Sequence, residues 1–128
     1  MKIVGIGIDL VDTARIRGAV EKLGPAFLQR IFTAGELAHC SASRDPFPHY
    51  AARFAAKEAV GKALGTGIGS GISWQEIEVV SRPSGQPEVR LHGTAARIAE
   101  SLGADSILLS LTHTDSAAAA SAFAFGSR

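Results

Sequence analysis

Residues 2–11, KIVGIGIDLV, alternate as a β-strand does, with Val4, Ile6, Ile8 and Leu10 on one face and Gly5, Gly7 and Asp9 on the other. Asp12 or Thr13 is placed to cap a helix, ARIRGAVEKLG, that Gly24 and Pro25 stop. A second helical piece, AFLQRIF, leads to Thr33 and Glu36, which have the spacing of a capping box for a short third helix ending near Cys40. SASRDPFP reads as a loop, and a long helix follows over residues 49–64. IEVVSR and EVRLH flank PSGQP as a hairpin. Thr94 is placed to cap AARIAESLG, which Gly103 ends, and SILLSLTHTDSAAAASAFAF gives two strands around a turn at Asp115 and Ser116. Helices grouped early and hairpins late predict an α+β fold rather than a doubly wound parallel sheet, in one domain.

The long helix carries the most informative pattern. Phe54, Glu58 and Lys62 are four apart and trace one stripe, flanked by Arg53 and Lys57. Ala52, Ala55, Ala59 and Ala63 form another side, small enough for a neighbouring element to approach closely. Glu58 and Lys62 have the spacing of a plain surface ion pair. Against that reading, the alanine side marks a packed helix, and Gly61 sits between the pair although glycine costs up to about 1 kcal/mol in a helix interior. The helix then runs into GTGIGSG. Phosphate-binding glycine loops lie between a strand and a helix N-terminus, so a dinucleotide or P-loop assignment fails on context, and no Walker lysine follows. A flexible segment at a helix C-terminus remains, with Gly65, Thr66 and Gly67 at its start.

Asp9 is the second clue. Glycines weaken a strand and mark close approach, and Gly5 and Gly7 leave the face of Asp9 bare. Asp9 fits two roles: ending the strand ahead of the next helix, or joining Glu58 to hold a hard divalent cation. Two carboxylates, with water and phosphate oxygens filling the remaining positions, suit magnesium. Nearby lysines and arginines would then bind a phosphate-bearing substrate.

Composition narrows the class. The chain has 128 residues, 46% of them hydrophobic, enough for a core in a domain small enough to gain from self-association. A net charge of +1 argues against a nucleic-acid binder. Cys40 is the only cysteine and cannot form an internal disulfide, which with the interrupted N-terminal apolar run predicts a cytoplasmic protein without a membrane span.

GIGIDLVDTARI, RFAAKEAVGKALGTGIG and LSLTHTDSAAAASAFA resemble, in order and spacing, the three signature blocks of the holo-acyl-carrier-protein synthases. These are the small 4′-phosphopantetheinyl transferases of bacterial fatty-acid synthesis. The resemblance implies an α+β fold, an antiparallel sheet wrapped around a long central helix, as one domain over residues 1–128. It implies transfer of phosphopantetheine from coenzyme A to a serine of apo acyl carrier protein, releasing adenosine 3′,5′-bisphosphate. Asp9 and Glu58 match the family's Mg²⁺-binding carboxylates and Lys62 its catalytic lysine. Arg53 and His113 match positions lining the coenzyme A pocket, His113 being a candidate catalytic residue as well, with Gly65, Thr66 and Gly67 beside it. Arg15 and Arg30 match basic contacts to the carrier protein. Homotrimers with sites at the subunit interfaces are implied as well.

Phosphoryl transfer is largely positioning and electrostatics, so few catalytic side chains suffice. Two departures stand out: Gly61, where other members carry a side chain, and Asp115, two residues beyond His113 rather than directly after it. Both a turn role and a proton-accepting role fit Asp115. Two rival functions use parts of the same pattern. A magnesium-dependent nucleotide pyrophosphohydrolase would need Asp9 and Glu58 but not the basic helix. A non-enzymatic carrier-protein-binding module would need only the helix.

Overall fold

The structure is a computed structural model that describes residues 1–127. Strand β1 (Lys2–Asp12) pairs antiparallel with β5 (Ala117–Gly126), which pairs in turn with β4 (Ser106–His113). Strands β2 (Ile77–Ser81) and β3 (Pro87–Leu91) form a separate antiparallel hairpin. The helices are α1 (Thr13–Leu23), α2 (Pro25–Ile31), α3 (Ala34–Ser41), α4 (Phe47–Ala63) and α5 (Gly93–Leu102), with one 3₁₀ turn at Trp74–Glu76. Helix α4 packs chiefly on β1 and β5 and is buried along most of its length.

Small residues make that contact possible. A Cβ on Gly7 would run into the carbonyl oxygen of Ala59, and one on Gly5 into that of Ala63. Ala118, Ala120, Ala122 and Ala124 of β5 are buried on the same side, as alternate residues of one strand face must be. The helix therefore lies backbone-close to the sheet, and the alanine side expected from the sequence is its contact surface.

The strand alternation holds, but the apolar side of β1 faces outward. Ile6, Ile8 and Leu10 are 63%, 69% and 71% exposed. They neighbour Phe123, Ser121 and Ala119 across the β1–β5 ladder. A register shift between Ile3 and Gly5 turns Val4 inward to the core and leaves Ile3 outside, so Val4 departs from the predicted face.

Three boundaries move from their predicted positions. Helix α4 begins at Phe47, two residues earlier than the sequence reading, because Pro48 is favourable in a first turn and the Asp45 carboxylate accepts from Phe47 N–H at 3.2 Å. Asp12 flanks α1 without a side-chain cap, and the Ser116 carbonyl accepts from Thr13 N–H at 2.9 Å instead. Thr94 does not cap α5: it lies inside the helix, where its N–H donates to Glu76 Oε2 at 2.9 Å. The capping box of Thr33 and Glu36 is formed as expected, and Gly103 ends α5 in the left-handed conformation.

Candidate active site

Asp9 lies near the end of β1 on the face turned to α4, paired in register with Ala120. Lys62, in the last turn of α4, places its ammonium 3.2 Å from Asp9 Oδ1 and donates to the Ile8 carbonyl at 2.9 Å. Lys62 therefore bridges to a residue far away in the chain, in place of a local pair with Glu58. Asp9 is part of the strand, so its strand-ending, helix-capping role is not the one seen. Burial first, and then the charge of Asp9, pushes the Glu58 carboxyl above its ordinary range, while Lys62 and Arg15 act in the opposite direction. Strand β1 and helix α4 thus bring two carboxylates and a lysine into one electrostatic field.

Arg15 of α1 belongs to this field. Its guanidinium lies 5.2 Å from the centroid of the Phe54 ring, which is stacked on Trp74 at 4.7 Å. Arg30 is exposed at the end of α2, beside a hollow bordered by Ile68, Gly69 and Trp74.

The glycine-rich segment folds back on the helix that leads into it. Gly67 N–H donates to the Gly61 carbonyl at 3.0 Å, and a Cβ on Gly61 would sit 3.3 Å from the Gly67 Cα. That explains the helix glycine: it makes room for residues 67 and 68. Gly65 and Gly67 hold φ of 82° and 68°, values that suit glycine, and Gly65 and Thr66 are exposed.

Arg53 and His113 lie elsewhere. Arg53 is 5% exposed and donates to Ser81 Oγ at 3.1 Å, while its Nε has no partner. The His113 ring packs edge-on to His49 at 5.1 Å. Burial, then His113, Arg53 and His39, holds His49 below the usual histidine range, with Asp45 opposing. His49 is the member that sequence reasoning missed, since no spacing rule singled it out. Arg53 and Lys62 are nine positions apart, which places them on opposite faces of α4 and about 13.5 Å apart along its axis. One chain therefore presents two groups of the expected residues, Asp9–Glu58–Lys62 with Arg15, and Arg53–His113 with His49.

Asp115 occupies the β4–β5 turn, where Thr114 N–H donates to the Ala117 carbonyl at 2.8 Å and the Thr114 hydroxyl accepts from Ala117 N–H at 3.1 Å. Sequence reasoning also passed over Lys57, which is 0% exposed and pairs with Glu36 at 2.8 Å.

Fold and site together define a small α+β protein whose acidic and basic side chains gather at a helix–sheet seam. Residues 5–121 match the family model described as the 4′-phosphopantetheinyl transferase superfamily. A holo-[acyl-carrier-protein] synthase of Desulforudis audaxviator is 51% identical over 97% of this chain and 94% of its own. One from Solibacter usitatus is 48% identical over 88% and 90% respectively. Among solved structures, the Neisseria meningitidis synthase superposes with a TM-score of 0.87 at 36% identity, covering 97% of this chain and 99% of that one. A Helicobacter pylori synthase in complex with coenzyme A gives 0.83 at 31% identity, covering 94% and 99%. The chain belongs to the 4′-phosphopantetheinyl transferase superfamily and is an enzyme of the holo-[acyl-carrier-protein] synthase type.

Proposed function

We propose that this enzyme moves the 4′-phosphopantetheine arm of coenzyme A onto a serine hydroxyl of an apo acyl carrier protein, releasing adenosine 3′,5′-bisphosphate. The observation that carries the reading is that Asp9 of β1 and Glu58 of α4 share one seam, where the charge of Asp9 helps to raise the Glu58 carboxyl and Lys62 is bonded to Asp9. In the transfer, the serine oxygen bonds to the phosphorus bearing the pantetheine arm, the bridging P–O bond of the pyrophosphate breaks, and the nucleotide leaves with the electron pair. The hydroxyl proton passes to a carboxylate of this site or to water held by it.

The residues fit a magnesium ion. Asp9 and Glu58 offer hard anionic oxygens, and water and phosphate oxygens would fill the remaining positions. When bound, Mg²⁺ supplies positive charge to the pyrophosphate oxygens. Lys62, its side chain 51% exposed, is free to turn its ammonium to the same oxygens, and the Gly65–Thr66–Gly67 backbone lets a phosphate come close. Arg15 and Arg30, both exposed, suit the acidic surface of a carrier protein.

A homotrimer with sites between subunits accounts for the two groups on α4. A single coenzyme A reaching both would have to pass around a buried helix in one chain, whereas a second copy can bring its Arg53 and His113 to the first copy's Lys62. The outward Ile6, Ile8 and Leu10 give such copies an apolar face to share. No described helix is long and apolar enough to cross a membrane. We read the chain as a single transferase domain working in the cytoplasm.

The deciding experiment is mass spectrometry of apo acyl carrier protein incubated with the enzyme, coenzyme A and Mg²⁺. One added phosphopantetheine per carrier, lost on chelation with EDTA, is expected. Coenzyme A hydrolysis without carrier modification would overturn the reading.

A further inference from the structure

We propose that Lys57, held by Glu36, is a positioning residue that anchors the far end of the glycine-rich segment and so sets the phosphate-binding edge of the site. The inference rests on the transfer reading above. The Lys57 ammonium donates to Glu36 Oε1 at 2.8 Å, to the Trp74 carbonyl at 3.1 Å and to the Ile77 carbonyl at 2.6 Å, which uses all three of its hydrogens. Glu36 Oε1 also accepts from Thr33 N–H at 2.8 Å, and Oε2 accepts from Val79 N–H at 2.8 Å. Both side chains are essentially excluded from solvent, at 0% and 1% exposure.

Stability alone is a weak reason for this arrangement. Withdrawing two charges from water costs about what their attraction returns, and well-packed apolar residues often do as well. What apolar residues cannot do is fix where backbone carbonyls sit. The pair ties α3, α4, the 3₁₀ turn and β2 to a single point.

The segment between α4 and that turn depends on its ends. Gly65, Gly67, Gly69 and Gly71 all hold positive φ, so the chain between them has little stiffness of its own. Its near end is held by Gly67 N–H on the Gly61 carbonyl. Its far end arrives at Trp74, whose carbonyl is held by Lys57 and whose ring stacks on Phe54, four residues before Glu58 on the same stripe. Lys57 therefore fixes the segment relative to the helix that carries Glu58 and Lys62.

The test uses the full-length enzyme and its Lys57→Met variant, with coenzyme A, apo carrier protein and Mg²⁺. The expected result is a KM for coenzyme A raised about tenfold or more, and by a larger factor than any rise in the KM for carrier protein. Amide exchange over residues 65–73, measured without ligand, should quicken at least tenfold more than exchange in β1 and β5 does. Uniform loosening, or an unchanged KM for coenzyme A, would overturn the proposal. If Lys57→Met does not fold, Glu36→Gln is read in the same way, and failure of both to fold would also overturn it by assigning the pair to stability alone. A wild-type enzyme that modifies no carrier protein would sink the transfer reading instead, leaving the exchange result to judge the anchor by itself.

Discussion

Gly7 and Ala59 meet with no side chain between them: the strand glycine lies so close to the helix that a Cβ would overlap the Ala59 carbonyl oxygen. That carbonyl belongs to the backbone of a buried helix and cannot turn aside. Gly7→Ala should therefore destabilise the fold by about 2–3 kcal/mol, as overpacking does. Chemical denaturation measures it, and an unchanged midpoint would show that the seam yields.

Asp9→Asn and Glu58→Gln should each lower transfer at least about 100-fold, the scale on which single charge-stabilising groups act in catalysis. Neither should lower thermal stability much. Glu58→Gln removes a carboxyl that burial and Asp9 already disfavour as an anion. Carrier-protein mass shift and a melting curve separate the two effects, and full activity in either variant would refute the cation-binding assignment.

Gly61→Ala sets two effects against each other. Alanine gains up to about 1 kcal/mol of helix propensity. Its Cβ, however, would press on Gly67 and Ile68 at 3.3 Å. The expected outcome is an undiminished melting temperature with weaker coenzyme A binding, read by titration calorimetry. Unchanged affinity would show that the segment moves without consequence.

Cys40 should be inert in the native protein. It is 0% exposed, and burial pushes its thiol up to about 11, so little thiolate forms at pH 8. Labelling with iodoacetamide should be slow until denaturant is added, and rapid native labelling would contradict the packing.

Acid should weaken the fold partly through His49. Burial first, and then His113, Arg53 and His39 beside it, hold it below 6.5, so the unfolded chain takes up its proton first as pH falls through that value. Stability is present above 6.5 and declines below it, until the native histidine also charges. His39, lowered by burial and then by Arg53, contributes in the same direction. His49→Gln should shrink the difference in melting temperature between pH 7.5 and pH 5.5, and an unaltered difference would place the acid loss elsewhere.

The sequence made the seam legible because its signals are local. Glycine beside Asp9, the alanine side of α4 and the capping box at Thr33 each follow from spacing along one element. Lys57 and Glu36 were not legible, because they lie 21 positions apart and a lysine among alanines reads as a solvated charge. Glu36 was recognised only as a helix cap, although the same carboxylate reaches Lys57 and β2. Strand alternation in β1 showed that the two faces differ. It could not show which one the chain covers, since the glycine side is filled by helix backbone and leaves no apolar signature.

If copies of this chain share the face of Ile6, Ile8 and Leu10, as proposed above, dilution takes on a thermodynamic role. A subunit that hides these side chains only against its own copies gains stability with the logarithm of protein concentration, by ordinary mass action. Its melting temperature is then a property of the preparation as much as of the sequence. In a cell, newly made chains would remain adhesive until enough siblings had accumulated to cover them.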